Sequence, residues 1–235
     1  MKSIAAVLKF LTIWGRFTRH PPTPELIGAG AVYFPLVGLT FGLVLALLNR
    51  ALGLYLESEV LSITLVMTLI IGTGAIHLEG MKNTFDATPQ RSLRPTIAAQ
   101  RIFGLLATLF TVLFKIRAID IMEDKLTLGL LLTPAFARWA LVIFLYGAHQ
   151  RCEESTRLIA ANIKLWHLLV TTAAMLALAL YLSGRSGLWV ALSVSVIALL
   201  ARSLLSRWHG VLTHDNLGAV VEISEVLSLI LVASL

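Results

Sequence analysis

The feature that most constrains this chain is a series of seven apolar stretches, each about as long as a bilayer is thick, separated by short polar segments. They fall at about 32–49, 60–76, 102–119, 127–147, 165–183, 188–204 and 217–235. A helix needs about 20 apolar residues to cross the hydrocarbon core. Inside that core every backbone N–H and C=O must be paired within the segment, which leaves the α-helix as the economical solution. The expected fold is therefore all-α: a polytopic membrane helical bundle of about seven spans, forming a single domain over 1–235. Composition agrees, with 57% hydrophobic and 14% charged residues against about 25% charged in soluble domains. Residues 4–14 are apolar but too short to span, so they are read as an interfacial or re-entrant helix, ended by Arg16, Arg19, His20 and the pair Pro21-Pro22. Gly184-Arg185-Ser186-Gly187 reads as a tight turn between the fifth and sixth stretches. No secretory signal peptide is expected, because the first ten residues lack an apolar core followed by a small-residue cleavage site. The single cysteine, Cys152, rules out a disulfide framework.

The basic residues predict the orientation. With the N-terminus inside, 13 of the 19 lysines and arginines fall on inner segments and 3 on outer ones, while Lys115, Arg117 and Arg138 lie within spans. That asymmetry places the N-terminus and the polar segments 77–101, 149–164 and 205–216 on the cytoplasmic side of an inner membrane. The net charge of +6 is thus read as a topology signal, with the lipid bilayer as partner and no nucleic acid. The five tryptophans read as interfacial anchors, except Trp139 beside Arg138. Homo-oligomer formation is left open.

Two polar clusters carry the chemistry. In His77-Leu78-Glu79-Gly80-Met81-Lys82-Asn83-Thr84-Phe85-Asp86, a helix puts Glu79, Asn83 and Asp86 at i, i+4 and i+7, on one face. Oxygen donors so arranged suit a hard cation such as Mg²⁺. Gly80 leaves room for a substrate to approach, and His77 lies at the mouth. The plainer alternative is a solvated loop capping a membrane helix. The second cluster is Thr213-His214-Asp215-Asn216 followed by Glu222 and Glu225, with Asp215, Glu222 and Glu225 again on one face. Carboxylates inside an apolar span are costly and face a bundle interior or a polar cavity. Glu222 and Glu225 either complete the cation site or pair with Arg138 or Lys115, and those two cations either bind phosphate groups or neutralise the glutamates. Acidic oxygens, a divalent cation and nearby basic groups at a membrane face point to phosphoryl or nucleotidyl-phosphate transfer, with His77 or Glu79 taking the proton from an attacking hydroxyl.

The same residues carry a resemblance. His77-Leu-Glu-Gly-Met-Lys-Asn-Thr-Phe-Asp-Ala87 is similar, without gaps, to the His-Leu-Asp-Gly-Leu-Ala-Asp-Thr-Ala-Asp-Gly motif of cobalamin 5′-phosphate synthases, the adenosylcobinamide-GDP ribazoletransferases. Leu212-Thr-His-Asp-Asn-Leu-Gly-Ala219 with Glu222 and Glu225 resembles that family's Leu-Thr-Gly-Asp-x-x-Gly-Ala-x-x-Glu-x-x-Glu segment. Tyr33-Phe34-Pro35-Leu36-Val37-Gly38, Phe114-Lys115 and Pro134-x-x-x-Arg138-Trp139 follow the family's order. The resemblance implies a Mg²⁺-dependent membrane transferase of the last steps of cobalamin biosynthesis. Such an enzyme joins α-ribazole, or its 5′-phosphate, to adenosylcobinamide-GDP and releases GMP. It implies catalytic roles for His77, Glu79, Asp86 and Asp215, and substrate contacts from Arg101, Lys115, Arg138 and Thr213. It implies metal ligation by Glu79, Asn83, Asp86, Asp215, Glu222 and Glu225.

The chain departs from that pattern at Glu79 and Asn83, both Asp in the family, and at Ala87 and His214, both Gly. The family's Met-Lys-Asp-Ser-Arg-x-Gly segment reads Ile97-Ala98-Ala99-Gln100-Arg101-Ile102-Phe103, keeping only the Arg. Losing two carboxylates is expected to weaken Mg²⁺ binding, each at a cost on the order of a few kcal/mol. His214 is a replacement ligand in principle, although imidazole suits softer metals. The alternatives are a divergent inactive paralogue that binds corrinoid or nucleotide, and a phosphotransferase acting on another alcohol. The Asp-Gly-x-x-Ala-Arg opening of CDP-alcohol phosphotransferases does not occur in the sequence. A transporter is disfavoured by the lack of repeated halves.

Overall fold

In a computed structural model that describes residues 2–87 and 97–235, with side chains from 102 onward in the second part, the described residues are helical almost throughout. The helices are α1 (Lys2–Leu11), α2 (Pro24–Ala29), α3 (Phe34–Leu52), α4 (Ser58–Thr73), α5 (Ile76–Asp86), α6 (Ile97–Asp120), α7 (Leu126–Leu145), α8 (Glu154–Ala161), α9 (Leu165–His209) and α10 (His214–Ser234), linked by 3₁₀ turns such as Ile13–Phe17. Among the described residues the only β pairing is an isolated bridge between Cys152 and Leu212.

Among the described residues five helices are long and apolar enough to cross a membrane, and α4 with α5 makes a sixth if their 86° bend is taken as one broken span. The difference from the seven expected stretches lies in α9. At 1.5 Å per residue a straight helix of its length would run about 68 Å, over twice the hydrocarbon thickness. It is not straight. Gly184 adopts φ 58° and ψ −137°, outside the helical region, and a Cβ on Gly187 would lie 2.4 Å from the Ala179 carbonyl. The chain therefore folds back on itself at the expected turn, and the two arms carry the fifth and sixth apolar stretches.

α7 is the hub. It packs on α3, α9 and α10, and from Leu132 to Phe144 its side chains are buried almost without interruption. Its closest neighbour is α3, where Gly38 and Gly42, one turn apart, bring backbone against backbone. A Cβ on Gly38 would lie 2.2 Å from the Pro134 carbonyl, and one on Gly42 2.3 Å from that of Leu131. This small-residue seam replaces hydrophobic drive, which is weak between helices in lipid. The outward faces are apolar, with Leu43 and Leu47 on α3, Leu109 and Leu113 on α6, and Leu192 and Leu199 on α9 all exposed.

Two features position the site. The first is the α4–α5 break. Gly74 and Ala75 are both left-handed, at φ 65° and 58°, so the polar stretch after the second apolar run is a helix turned sharply aside, packed against α10 and α6. The second is the N-terminal segment. α1 buries Ala6, Val7 and Leu11 and exposes Ile4 and Leu8, the one-sided pattern of an interfacial helix. The 3₁₀ turn after it rests on the break, with Ile13 Cα 3.2 Å from where a Cβ on Gly74 would be.

Candidate functional site

The two polar clusters meet. α5 crosses the start of α10 at Gly80 and Gly218. A Cβ on Gly80 would lie 2.7 Å from the Asp215 carbonyl, and one on Gly218 would lie 2.7 Å from that of His77. This contact opens a cavity of about 240 Å³ lined by Phe10, Ile76, His77, Glu79, Gly80, Leu141, His214, Asp215, Leu217 and Gly218. Asn83 borders it, its Nδ2 donating to Asp215 Oδ1 at 3.3 Å. His77 is buried and its Nε2 has no hydrogen-bond partner. Glu79 reaches outward to Arg16, whose Nη2 lies 2.8 Å from Oε2, and both side chains are at least half exposed.

The start of α10 is held by several bonds. Thr213 and Asn216 form a reciprocal cap, with the Thr213 N–H donating to Asn216 Oδ1 at 2.9 Å. Asn216 Nδ2 donates to Thr84 Oγ1 across the α5 contact at 3.1 Å. The His214 N–H donates to Glu153 Oε1 at 2.7 Å. Glu153 is placed by the loop pairing around Cys152, where the Leu212 N–H donates to the Arg151 carbonyl and the Glu153 N–H to that of Leu212. The positive end of the α10 dipole thus borders the cavity, where it favours an anion.

The expected site residues separate into three places. His77, Glu79 and Asp215 line the cavity and Asn83 adjoins it. Asp86 sits at the far end of α5, where Oδ1 accepts from the Gly104 N–H at 2.8 Å and Oδ2 pairs with Lys82 at 2.8 Å, tying α5 to α6. Thr213, expected to contact substrate, stands at the helix cap, its N–H donating to Asn216 Oδ1. Glu222 and Glu225 lie deep in the bundle rather than at the cavity. Lys115 Nζ bridges them, at 2.7 Å from Glu222 Oε2 and in contact with Glu225, which also holds Arg138. All four side chains are at most 5% exposed. Of the two readings open for these residues, the structure displays the ion-pair network. Helical spacing puts Asp215, Glu222 and Glu225 on one face, but the rise carries the glutamates about 10 and 15 Å past the aspartate. At that depth two cations and two anions are tolerable only against one another. Arg138 also stacks over Phe41, at 5.5 Å from the ring centre. The Arg101 side chain lies outside the described residues.

The residues that sequence reasoning did not single out are Phe10, Arg16 and Glu153. Phe10 packs edge-on against His214 at 5.6 Å. All three act from outside the motifs, which no local pattern flags. The donor set left at the cavity, two carboxylates and an amide oxygen, fits Mg²⁺, which commonly takes one or two carboxylates and completes its shell with water and substrate phosphate. Among the described residues no group of three or more His, Cys, Asp or Glu forms a metal cage.

A family model described as cobalamin-5-phosphate synthase matches residues 3–233. Three relatives bear the name adenosylcobinamide-GDP ribazoletransferase. That from Syntrophobacter fumaroxidans is 30% identical over 94% of this chain and 94% of its own length. That from Pseudomonas fluorescens is 32% identical over 90% of each, and that from Roseiflexus sp. is 30% identical over 96% of this chain and 87% of its own. No solved structure matches the chain.

Proposed function

The chain belongs to the cobalamin-5-phosphate synthase family, and from that premise we propose that it is the membrane transferase that joins α-ribazole, or its 5′-phosphate, to adenosylcobinamide-GDP with release of GMP. It is a transferase of cobalamin biosynthesis. The inactive-paralogue and other-alcohol readings are not favoured, since the family match runs nearly end to end. The observation that carries the proposal is the convergence of the His77–Asp86 helix and the α10 N-terminus on one cavity. With the N-terminus and this cavity on the cytoplasmic side of an inner membrane, the water-soluble substrates are at hand.

In this reading the ribazole 3′-hydroxyl attacks the phosphorus bonded to the cobinamide. The bond from that phosphorus to the bridging oxygen breaks, and GMP leaves with the oxygen. His77 Nε2 takes the hydroxyl proton; what supports this is a buried ring nitrogen on the cavity with no other partner. Glu79 and Asp215, with the Asn83 amide oxygen, are the residues that would hold Mg²⁺. When bound, the ion supplies charge neutralisation at the phosphate oxygens. The α10 N-terminus adds a fixed positive dipole, and Arg16, salt-bridged to Glu79 at the rim, adds a guanidinium for the diphosphate.

The test is a transfer assay on the protein in nanodiscs, with adenosylcobinamide-GDP and α-ribazole, with and without Mg²⁺, following GMP. Metal-dependent GMP release is expected, with Asp215→Ala and His77→Gln each lowering turnover about 10²-fold or more. Wild-type turnover in either variant, or no GMP from folded protein beside an active relative, overturns the assignment.

A further inference from the structure

An apolar groove, separate from the catalytic cavity, runs beneath the N-terminal segment. It has a volume of about 520 Å³ and is walled by Leu8, Lys9 and Trp14 on one side and by Phe41, Val44 and Gly72 on the other. Its floor is hydrocarbon. Gly72 lets the Phe41 ring pack directly against α4 at the groove wall, since a Cβ there would meet that ring at 2.6 Å. Leu8, Trp14 and Val44 are exposed along it, on the same outward side as the lipid-facing Leu43 and Leu47 of α3. Lys9 stands at its edge, and among the described residues it forms no salt bridge with a carboxylate. Lys2, Arg16 and Arg19 add positive charge to the same short segment. Trp14, 74% exposed beside this lysine, is the residue type that settles at the headgroup level.

We propose that this groove is a binding site for one anionic phospholipid, whose acyl chain fills the space between α1 and α3 while Lys9 pairs with the headgroup phosphate. An apolar trough open to the bilayer and edged by an uncompensated cation selects that chemistry over a zwitterionic lipid, by about five-fold for one lysine near the surface. The site also has a consequence for the catalytic cavity. The other side of α1 presents Phe10 to His214, and the 3₁₀ turn that follows presents Arg16 to Glu79. A lipid wedged under α1 braces the segment that closes one wall of the cavity. The lipid site goes beyond the transfer reaction and does not depend on it.

The test reads binding directly. The wild-type chain and Trp14→Phe are placed in nanodiscs of phosphatidylcholine containing increasing fractions of brominated phosphatidylglycerol or brominated phosphatidylcholine. The Trp14 contribution is the difference in tryptophan quenching between the two proteins. Half-quenching is expected at about a five-fold lower fraction of phosphatidylglycerol, and Lys9→Gln should erase that preference. Val44→Phe, which fills the groove without touching the charge, should reduce Trp14 quenching by either lipid. Equal quenching by the two lipids in the wild type, or a preference that survives in Lys9→Gln, overturns the proposal. Because quenching is read without substrate, its failure is distinguishable from failure of the transferase reading.

Discussion

Gly218→Ala should damage catalysis well out of proportion to the one methyl group it adds. The added Cβ would fall 2.7 Å from the His77 carbonyl oxygen, 2.9 Å from Gly80 Cα and 3.1 Å from His77 Cα. Ordinary van der Waals contact begins at 3.4 Å, so α5 and α10 must separate by about 0.7 Å. The obstacle on both sides is backbone, which cannot rotate away as a side chain can. Overpacking of this kind costs about 1–3 kcal/mol. The functional effect is larger, because the displaced helices carry His77 and Glu79 on one side and Asp215 on the other. A misplacement of about 1 Å between reacting groups lowers rate by about 10²-fold, so a loss of about 10- to 100-fold in kcat is expected, with a smaller change in KM. The assay pairs GMP release in nanodiscs with denaturant unfolding of the same preparation. Wild-type turnover together with wild-type stability would refute the reasoning, since no arrangement with this close approach accommodates the methyl group freely.

The other predictions concern the deep cluster and the loop cysteine. Glu225→Gln leaves Lys115 with Glu222 and takes from Arg138 the carboxylate it pairs with, so an uncompensated cation stays buried and the unfolding free energy should fall by about 3–5 kcal/mol. Glu222→Gln should cost less, because Lys115 keeps Glu225; equal and negligible losses in both would show that the network is not holding the bundle. Burial, and secondarily the Glu153 carboxylate, push the Cys152 thiol up to about 11 from 9.0. At neutral pH its thiolate fraction is therefore about 100-fold below that of a free thiol, and maleimide labelling of native protein should be slower by that factor and rise with pH. The folded state favours the protonated thiol, so this contribution to stability is full below pH 9 and is lost as pH climbs through 11. Rapid labelling at pH 7 without unfolding would contradict the burial.

Much of this site was legible as residues and little of it as geometry. Apolar run lengths announced the bundle, and Gly184 announced the turn inside α9, because both depend on local requirements: bilayer thickness and a conformation that side chains resist. The helix carrying Glu79, Asn83 and Asp86 was legible for the same reason, since a helical period needs only the neighbouring residues, but packing put Glu79 at the cavity and Asp86 against α6. Arg16 and Glu153 were not legible, because each reaches the site across more than 60 residues of chain and neither sits in a pattern of its own.

The division of the acidic residues shows where sequence stops. Periodicity assigns Asp215, Glu222 and Glu225 an azimuth on α10, and apolar flanks say that such charges need partners. Neither says which partner lies across from each turn. Only the packing of α6, α7 and α5 around α10 decided that: Asp215 faces His77 and Glu79 over an open cavity, while Glu222 and Glu225, about two to three turns deeper, face Lys115 and Arg138 in a buried interior. The physical reason is that span identity, turn positions and charge placement follow from short-range chemistry along one chain, whereas the partner of a buried charge is set by helices that meet only once the bundle has formed.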